Sequence, residues 1–232
     1  MLLSSSIPLF PGEPRKNDAL FLYGACAPKP FVYCYEQEAV EVVYGPSCKI
    51  EQEILTDRCS ADRVPLVARR GGGGTVVLAP GMVVIIVVGE RGRQGKPGDA
   101  GGESGGRHGS EIHAIFDRIH RGVVTVLSGL VEKPIEKEGI SDLAIGKRKI
   151  LGGSLYLGSK PCLYYYQSSL LVDADICLMS RYLSQPPREP AYRRGRGHGE
   201  FCTTLKREGH KISAGEVAKV LNEDLKPAAN GE

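Results

Sequence analysis

From Val76 to Val88 the chain is apolar almost without a break, rich in valine and isoleucine, and punctuated only by Ala79-Pro80-Gly81. A run of this kind has no polar face to turn to water, and Pro-Gly divides it into two pieces of strand length. It is also too short, and too interrupted, to cross a bilayer as a helix. The expectation is two strands, Thr75–Leu78 and Met82–Val88, at the centre of a sheet, which rules out an all-helical fold.

The neighbouring segments fill in an α/β (α+β) pattern. Phe31–Tyr35 and Ala39–Tyr44 are rich in β-branched and aromatic residues around a short acidic turn, and predict a hairpin. Glu51–Cys59 reads as a short helix and Pro65–Ala68 as a brief strand. Ile112, Ile115, Phe116, Ile119, Val123 and Val126 recur at spacings of three and four, predicting an amphipathic helix over about Glu111–Leu130, with Gly109 and Ser110 as its N-cap. Beyond Gly139 a meander follows: strand Asp142–Ile145, turn Gly146–Arg148, strands Lys149–Leu157 and Leu163–Val172. Ile176–Leu183 and Ser213–Leu225 predict two further helices. The picture is a mixed, mostly antiparallel sheet with helices packed against one face.

Residues 1–16, rich in Pro, Gly and Ser, read as a mobile arm, and residues 17–232 as one domain with no accessory domain after it. Within that domain Arg91–Gly109 holds glycine and charge with almost no apolar residue, and reads as a flexible loop. Lysine and arginine outnumber aspartate and glutamate by 30 to 27, a net charge of +3 that speaks against a dedicated nucleic-acid binder. The seven cysteines are scattered with no C-x-x-C pair, which fits reduced thiols and no metal centre. Cys162 and Cys202 read as small packing residues. With no secretory signal and no membrane span, the expected location is cytoplasmic.

Two segments are composed for chemistry. Arg69-Arg70-Gly71-Gly72-Gly73-Gly74-Thr75-Val76 joins two strands; glycines let backbone N–H groups approach a ligand closely, and paired arginines offer forked donors to a carboxylate or phosphate. No Gly-Lys-Ser/Thr and no helix follow, so the tract is neither a Walker loop nor a dinucleotide fingerprint. In the second, Asp142 opens a strand, Lys149 enters the next beyond a tight turn, and Gly152, Gly153 and Ser154 follow. A lysine so placed can carry its ammonium into a pocket and stabilise charge growing on a carbonyl or phosphoryl oxygen. Taken alone, each segment also reads as a solvated basic loop. A third stretch, Pro187–His198, is dense in arginine and reads as a basic rim or a solvated loop.

In order and spacing the first two segments resemble the lipoate-protein ligase family, with its Arg-Arg-x-x-Gly-Gly-Gly loop, then Asp-Leu, a hairpin and Arg-Lys-x-x-Gly. Val42-Val43-Tyr44-Gly45 with Glu51 and Glu53 is similar to the family's Val-Ile-Gly strand and acidic helix, and Gln167–Val172 to its Gly-Ser/Thr-Leu-Leu strand. The resemblance implies a biotin/lipoate ligase-like catalytic domain, related to that of class II aminoacyl-tRNA synthetases. It further implies ATP and Mg2+ as cofactors, lipoate or octanoate as acyl substrate, and a lipoyl carrier such as a glycine cleavage H protein or an E2 lipoyl domain as partner. By analogy Lys149 meets the reacting acyl group, while Arg69 to Val76, Asp142 and Gly152 to Ser154 hold substrate and adenylate. Adenylation can also call for a separate accessory protein.

The sequence departs from that pattern at Gly71, where many ligases carry Ser or Thr, at Leu78-Ala79 in place of His-Asp, and at Leu151 and Gly153. Two alternatives to a ligase therefore stay open: an octanoyltransferase working through a cysteine thioester without ATP, and a non-catalytic homologue that binds an acyl or nucleotide ligand.

Overall fold

The computed structural model describes residues 16–91 and 104–225. Helix α1 (Lys16–Cys26) leads into strands β1 (Phe31–Glu36) and β2 (Glu41–Tyr44), then helices α2 (Ile50–Glu53) and α3 (Thr56–Ala61). Strands β3 (Leu66–Ala68), β4 (Val76–Leu78) and β5 (Met82–Glu90) follow, and then the long helix α4 (Ser104–Leu127). The second half runs β6 (Glu136–Glu138), β7 (Asp142–Ile145), β8 (Arg148–Leu157) and β9 (Leu163–Leu171), closing with α5 (Cys177–Tyr182), α6 (His198–Phe201) and α7 (Ala214–Asp224).

The apolar run is divided between two sheets. β5 lies inside a six-stranded sheet of order β1-β5-β9-β8-β7-β6, paired antiparallel throughout, whereas β4 is an edge of a three-stranded sheet of order β3-β2-β4. Both were expected at the centre of one sheet. The Ala79-Pro80-Gly81 turn carries the chain from one sheet to the other. Gly81 adopts φ +83°, and its carbonyl accepts from the N–H groups of Val172 and Asp173. A Cβ there would stand 2.8 Å from the Asp173–Ala174 backbone, so glycine is required on two counts.

The hairpin expected over residues 31–44 does not form. β1 pairs with β5, while β2 pairs parallel with β3 and antiparallel with β4. The intervening residues cross between the sheets, pinned by the buried Gln37, whose N–H donates to Met82 O at 2.9 Å. The helix expected over residues 51–59 is broken at Ile54, which bridges to Leu183, so that α2 and α3 are separate turns.

β5 is apolar on both sides and is covered on both. Val83, Ile85 and Val87 pack against Ile115, Phe116, Ile119, Val123 and Leu127 of α4 and Val217 and Leu221 of α7. Val84, Ile86 and Val88 pack against Phe21 of α1, Val43 of β2, Leu78 of β4, Ile176, and Phe201 of α6. Helices on one face only would have left half of these side chains in water, at about 1.5–3 kcal/mol each. α4 begins at Ser104, ahead of the expected cap at Gly109-Ser110, so the C-terminal end of the stretch expected as a loop is helical. Residues 92–103 of that stretch, and the expected arm except for Lys16, lie outside the described residues. α7 starts at a full capping box: Ser213 Oγ accepts from Glu216 N at 3.2 Å, and Glu216 Oε2 accepts from Ser213 N at 2.9 Å.

Candidate functional site

The hairpin of β7 and β8 contains an irregularity that aims its lysine. Asp142 pairs with Gly152 and Leu143 with Leu151, but Ala144 pairs with Lys149, so Ile150 is an extra residue on β8. In a regular strand residues 149 and 152 point to opposite faces; one inserted residue puts them on the same face. The structure shows this directly, since a Cβ built on Gly152 would fall 2.4 Å from Lys149 Nζ and 2.5 Å from its Cε. Gly152 is thus the floor over which the lysine chain lies. Gly153 faces the other way, where a Cβ would meet Phe116 at 2.9 Å and Tyr166 at 3.0 Å.

The ammonium of Lys149 reaches Asp142 Oδ1 at 2.9 Å, and its side chain keeps 24% exposure. Asp142 is buried and has two further donors, Ser141 Oγ on Oδ1 at 3.1 Å and Tyr192 Oη on Oδ2 at 2.9 Å. Burial and the adjacent carboxylate push the Tyr192 phenol far above its ordinary range, so it remains a donor. The Lys149 carbonyl accepts from Thr203 N at 2.9 Å, beside Cys202.

Facing this hairpin, the glycine tract is held by its own first arginine. Arg69, only 5% exposed, donates from Nη1 to Val43 O at 3.3 Å and from Nη2 to Gly72 O at 3.2 Å and Gly74 O at 2.7 Å. Burial lowers its pKa to about 10, still well above neutral, so the cation persists. Arg70 turns to the surface across the rings of Phe21 and Tyr156, at 5.4 and 5.9 Å. The paired arginines thus point to different places: the first donates to loop carbonyls, and the second stands exposed beside two aromatic faces.

Thr75 Oγ1 donates to Glu53 Oε2 at 2.8 Å and lies 3.0 Å from Cys48 Sγ. Burial raises the Glu53 carboxyl, but its donors Thr75, Lys49 N and Cys48 outweigh that effect and hold it below its ordinary value. Contact with the hairpin is direct: Gly72 N donates to Leu155 O at 3.3 Å, and a Cβ on Gly71 would come within 2.5 Å of Ser154 Oγ.

Between the two elements lies a cavity of about 260 Å³. Its wall includes Arg69, Gly73, Gly74, Thr75 and Val76 from the tract and Asp142, Lys149, Gly152, Gly153 and Ser154 from the hairpin. Arg70, Gly71 and Gly72 are not part of that wall. Val43, Leu78, Leu171, Met179 and Leu183 give it an apolar side, and Glu53, Gln167 and Ser169 polar points. Such a space suits an extended aliphatic chain with a polar head beside the lysine.

The Pro187–His198 stretch, expected as a basic rim or a solvated loop, borders the cavity, as do Pro186 and Phe201 on either side of it, which the sequence did not single out. Segment 184–197 and α6 contribute Pro186, Arg188, Pro190, Arg193, His198 and Phe201. The expected basic rim is only partly one, because Arg193 is buried with its guanidinium 4.8 Å from the Phe201 ring, and Arg196 donates to Tyr192 O and Lys147 O. Burial, then Arg193, lowers His198 to about 4, so it stands neutral in the wall. Of the two cysteines expected as packing residues, Cys202 is buried and lines the cavity, whereas Cys162 is exposed. Among the described residues no His, Cys, Asp and Glu group could hold a metal ion, and no helix is long and apolar enough to cross a membrane.

Comparison with known proteins agrees with this architecture. The bipartite lipoate protein ligase of Thermoplasma acidophilum, solved in a study that included its E2 lipoyl domain, superposes with a TM-score of 0.67 at 20% identity, covering 85% of this chain and 70% of that one. A putative lipoate protein ligase from T. acidophilum with bound lipoic acid gives 0.65 at 19%, covering 85% and 71%. Lipoate-protein ligase A bound with ATP gives 0.62 at 21%, covering 85% and 71%. No curated protein matches the sequence. The lipoyl protein ligase A/B catalytic domain matches residues 22–226, nearly the whole chain, and the protein belongs to that family.

Proposed function

We propose that the protein, acting as one catalytic domain, attaches lipoyl or octanoyl groups to a lysine of a lipoyl carrier domain through an acyl-adenylate. The observation that carries this reading is Lys149, which shares one apolar-sided cavity with Gly73, Gly74, Thr75 and Val76 of the glycine tract. In the first step the acid's carboxylate attacks the α-phosphorus of ATP and expels pyrophosphate. In the second the carrier's lysine amine attacks the acyl carbon and AMP leaves. Negative charge grows on the acyl oxygen in the second step, and a fixed ammonium there stabilises it without reorganisation. Gly73, Gly74 and Thr75 lie along the acyl-adenylate, Arg69 keeps their carbonyls in place, and Asp142 holds the lysine.

The lipoic acid and ATP bound in relatives of this fold support both substrates. The bipartite relative and its E2 lipoyl domain support a lipoyl-domain partner and a separate accessory protein. Of the two acidic side chains in the wall, Glu53 and Asp142, both are engaged by protein donors, so Mg2+ would arrive on the nucleotide's phosphates and supply charge neutralisation there. A cytoplasmic location fits cysteines that are all free. Exchange of label between pyrophosphate and ATP should depend on lipoate or octanoate. Absence of exchange with every short acid, with accessory protein supplied, removes the ligase reading.

One observation favours the octanoyltransferase alternative. Cys202 lines the cavity next to Lys149, where a thioester could form. Burial raises its pKa more than Lys149 lowers it, leaving a protonated thiol, whereas the nucleophile is the thiolate. An octanoyl adduct on Cys202, seen by intact mass after incubation with an octanoylated carrier and no ATP, would decide for that alternative.

A further inference from the structure

We infer that Tyr192 is a positioning residue for Lys149, acting through Asp142 and bringing the lysine under the control of segment 184–197. The inference rests on the reading of Lys149 as the group that meets the acyl carbonyl. A carboxylate turns about a broad, soft torsion, so a donor on one oxygen alone leaves its plane loosely set. Asp142 has donors on both oxygens: Ser141 and Lys149 on Oδ1, and the Tyr192 phenol on Oδ2 at 2.9 Å. The phenol is the donor that fixes the plane, and with it the direction in which Oδ1 draws the ammonium.

Tyr192 is not part of the cavity wall, yet its segment is, through Pro186, Arg188, Pro190 and Arg193. Several contacts seat it. Its ring lies 5.0 Å from that of Phe201, and Arg196 Nη2 binds both the Tyr192 carbonyl at 2.8 Å and the Lys147 carbonyl at 3.0 Å. The same arginine thus ties the segment to the turn that precedes Lys149. With the segment seated beside the cavity, Tyr192 meets Asp142 and Lys149 is aimed.

Tyr192→Phe removes the hydroxyl and keeps the ring against Phe201. Two quantities test the inference in the full chain. With synthetic lipoyl-adenylate and an apo lipoyl domain, kcat should fall about fivefold while KM for the carrier stays unchanged, the effect of one lost hydrogen bond. Acetylation of Lys149 by acetic anhydride, measured against Lys147 in the same molecule, should rise about fivefold as the ammonium leaves its carboxylate. An unchanged labelling ratio, an unchanged kcat, or a loss carried by KM overturns the inference. A wild-type protein that transfers nothing from the adenylate removes the acyl-transfer reading instead, and the labelling ratio then decides alone whether Tyr192 orders Lys149.

Discussion

A methyl group added at Gly152 would come within 2.4 Å of the Lys149 ammonium nitrogen, whereas one added at Gly153 would meet Phe116 at 2.9 Å and Tyr166 at 3.0 Å. The two substitutions should therefore fail in opposite ways. Gly152→Ala displaces the flexible end of a lysine, so thermal stability should stay near wild type while acyl transfer falls tenfold or more, about the effect of misplacing one charge-stabilising group. Gly153→Ala presses on two rings packed in the core and should cost about 1–3 kcal/mol in chemical denaturation. In the sequence both glycines read as pocket contacts, and both do border the cavity. Which one clears space for the lysine depends on the extra residue at Ile150, and a bulge leaves no mark in composition or period. Tyr192 was illegible for a related reason, since its partner Asp142 is distant in the chain and an isolated tyrosine in a Pro- and Arg-rich stretch signals nothing.

Among the elements, the meander of β7, β8 and β9 and the capped helix α7 were legible because their strand pairing or capping is local. The misread elements depend on distant partners. β1 and β2 are separated by a short turn that suits a hairpin, yet β1 finds β5 and β2 finds β3 and β4. α1 escaped notice because Ala19, Leu20, Phe21, Leu22 and Tyr23 are consecutive, where an amphipathic helix would space its apolar residues by three and four; Leu20 and Phe21 are buried while Leu22 and Tyr23 are exposed. The glycine tract was legible as a loop meeting the lysine hairpin, but the role of its arginines was not. Arg69 holds three backbone carbonyls from β2 and the tract. Arg69→Lys replaces a planar fork whose two terminal nitrogens reach separate carbonyls with a single point donor, and should destabilise the protein by about 1–3 kcal/mol in urea unfolding. Arg70→Lys, at an exposed aromatic stack, should change stability by less than about 1 kcal/mol.

At the scale of the whole molecule, α4 is fastened to the sheet by a neutral histidine. His120 is buried, lies 3.1 Å from Tyr166 Oη, and is lowered by burial to about 4. Its folded pKa lies below the unfolded value of about 6.5, so the unfolded chain binds the extra proton first and stability is lost as pH falls through that window. The unfolding free energy should drop by up to about 1.4 kcal/mol per pH unit between about pH 6.5 and about pH 4, and His120→Gln should flatten the slope. The two sheets and their helices together place one lysine opposite one glycine loop, and the proposed acyl transfer depends on that placement. It is tested most directly by supplying an apo lipoyl domain with synthetic lipoyl-adenylate, which bypasses any need for an accessory protein, and following the carrier by intact mass. The wild-type protein should add one lipoyl group to the carrier, and Lys149→Ala should fall about a hundredfold or more towards the uncatalysed rate. Transfer by Lys149→Ala at the wild-type rate would show that Lys149 does not stabilise the reacting acyl group.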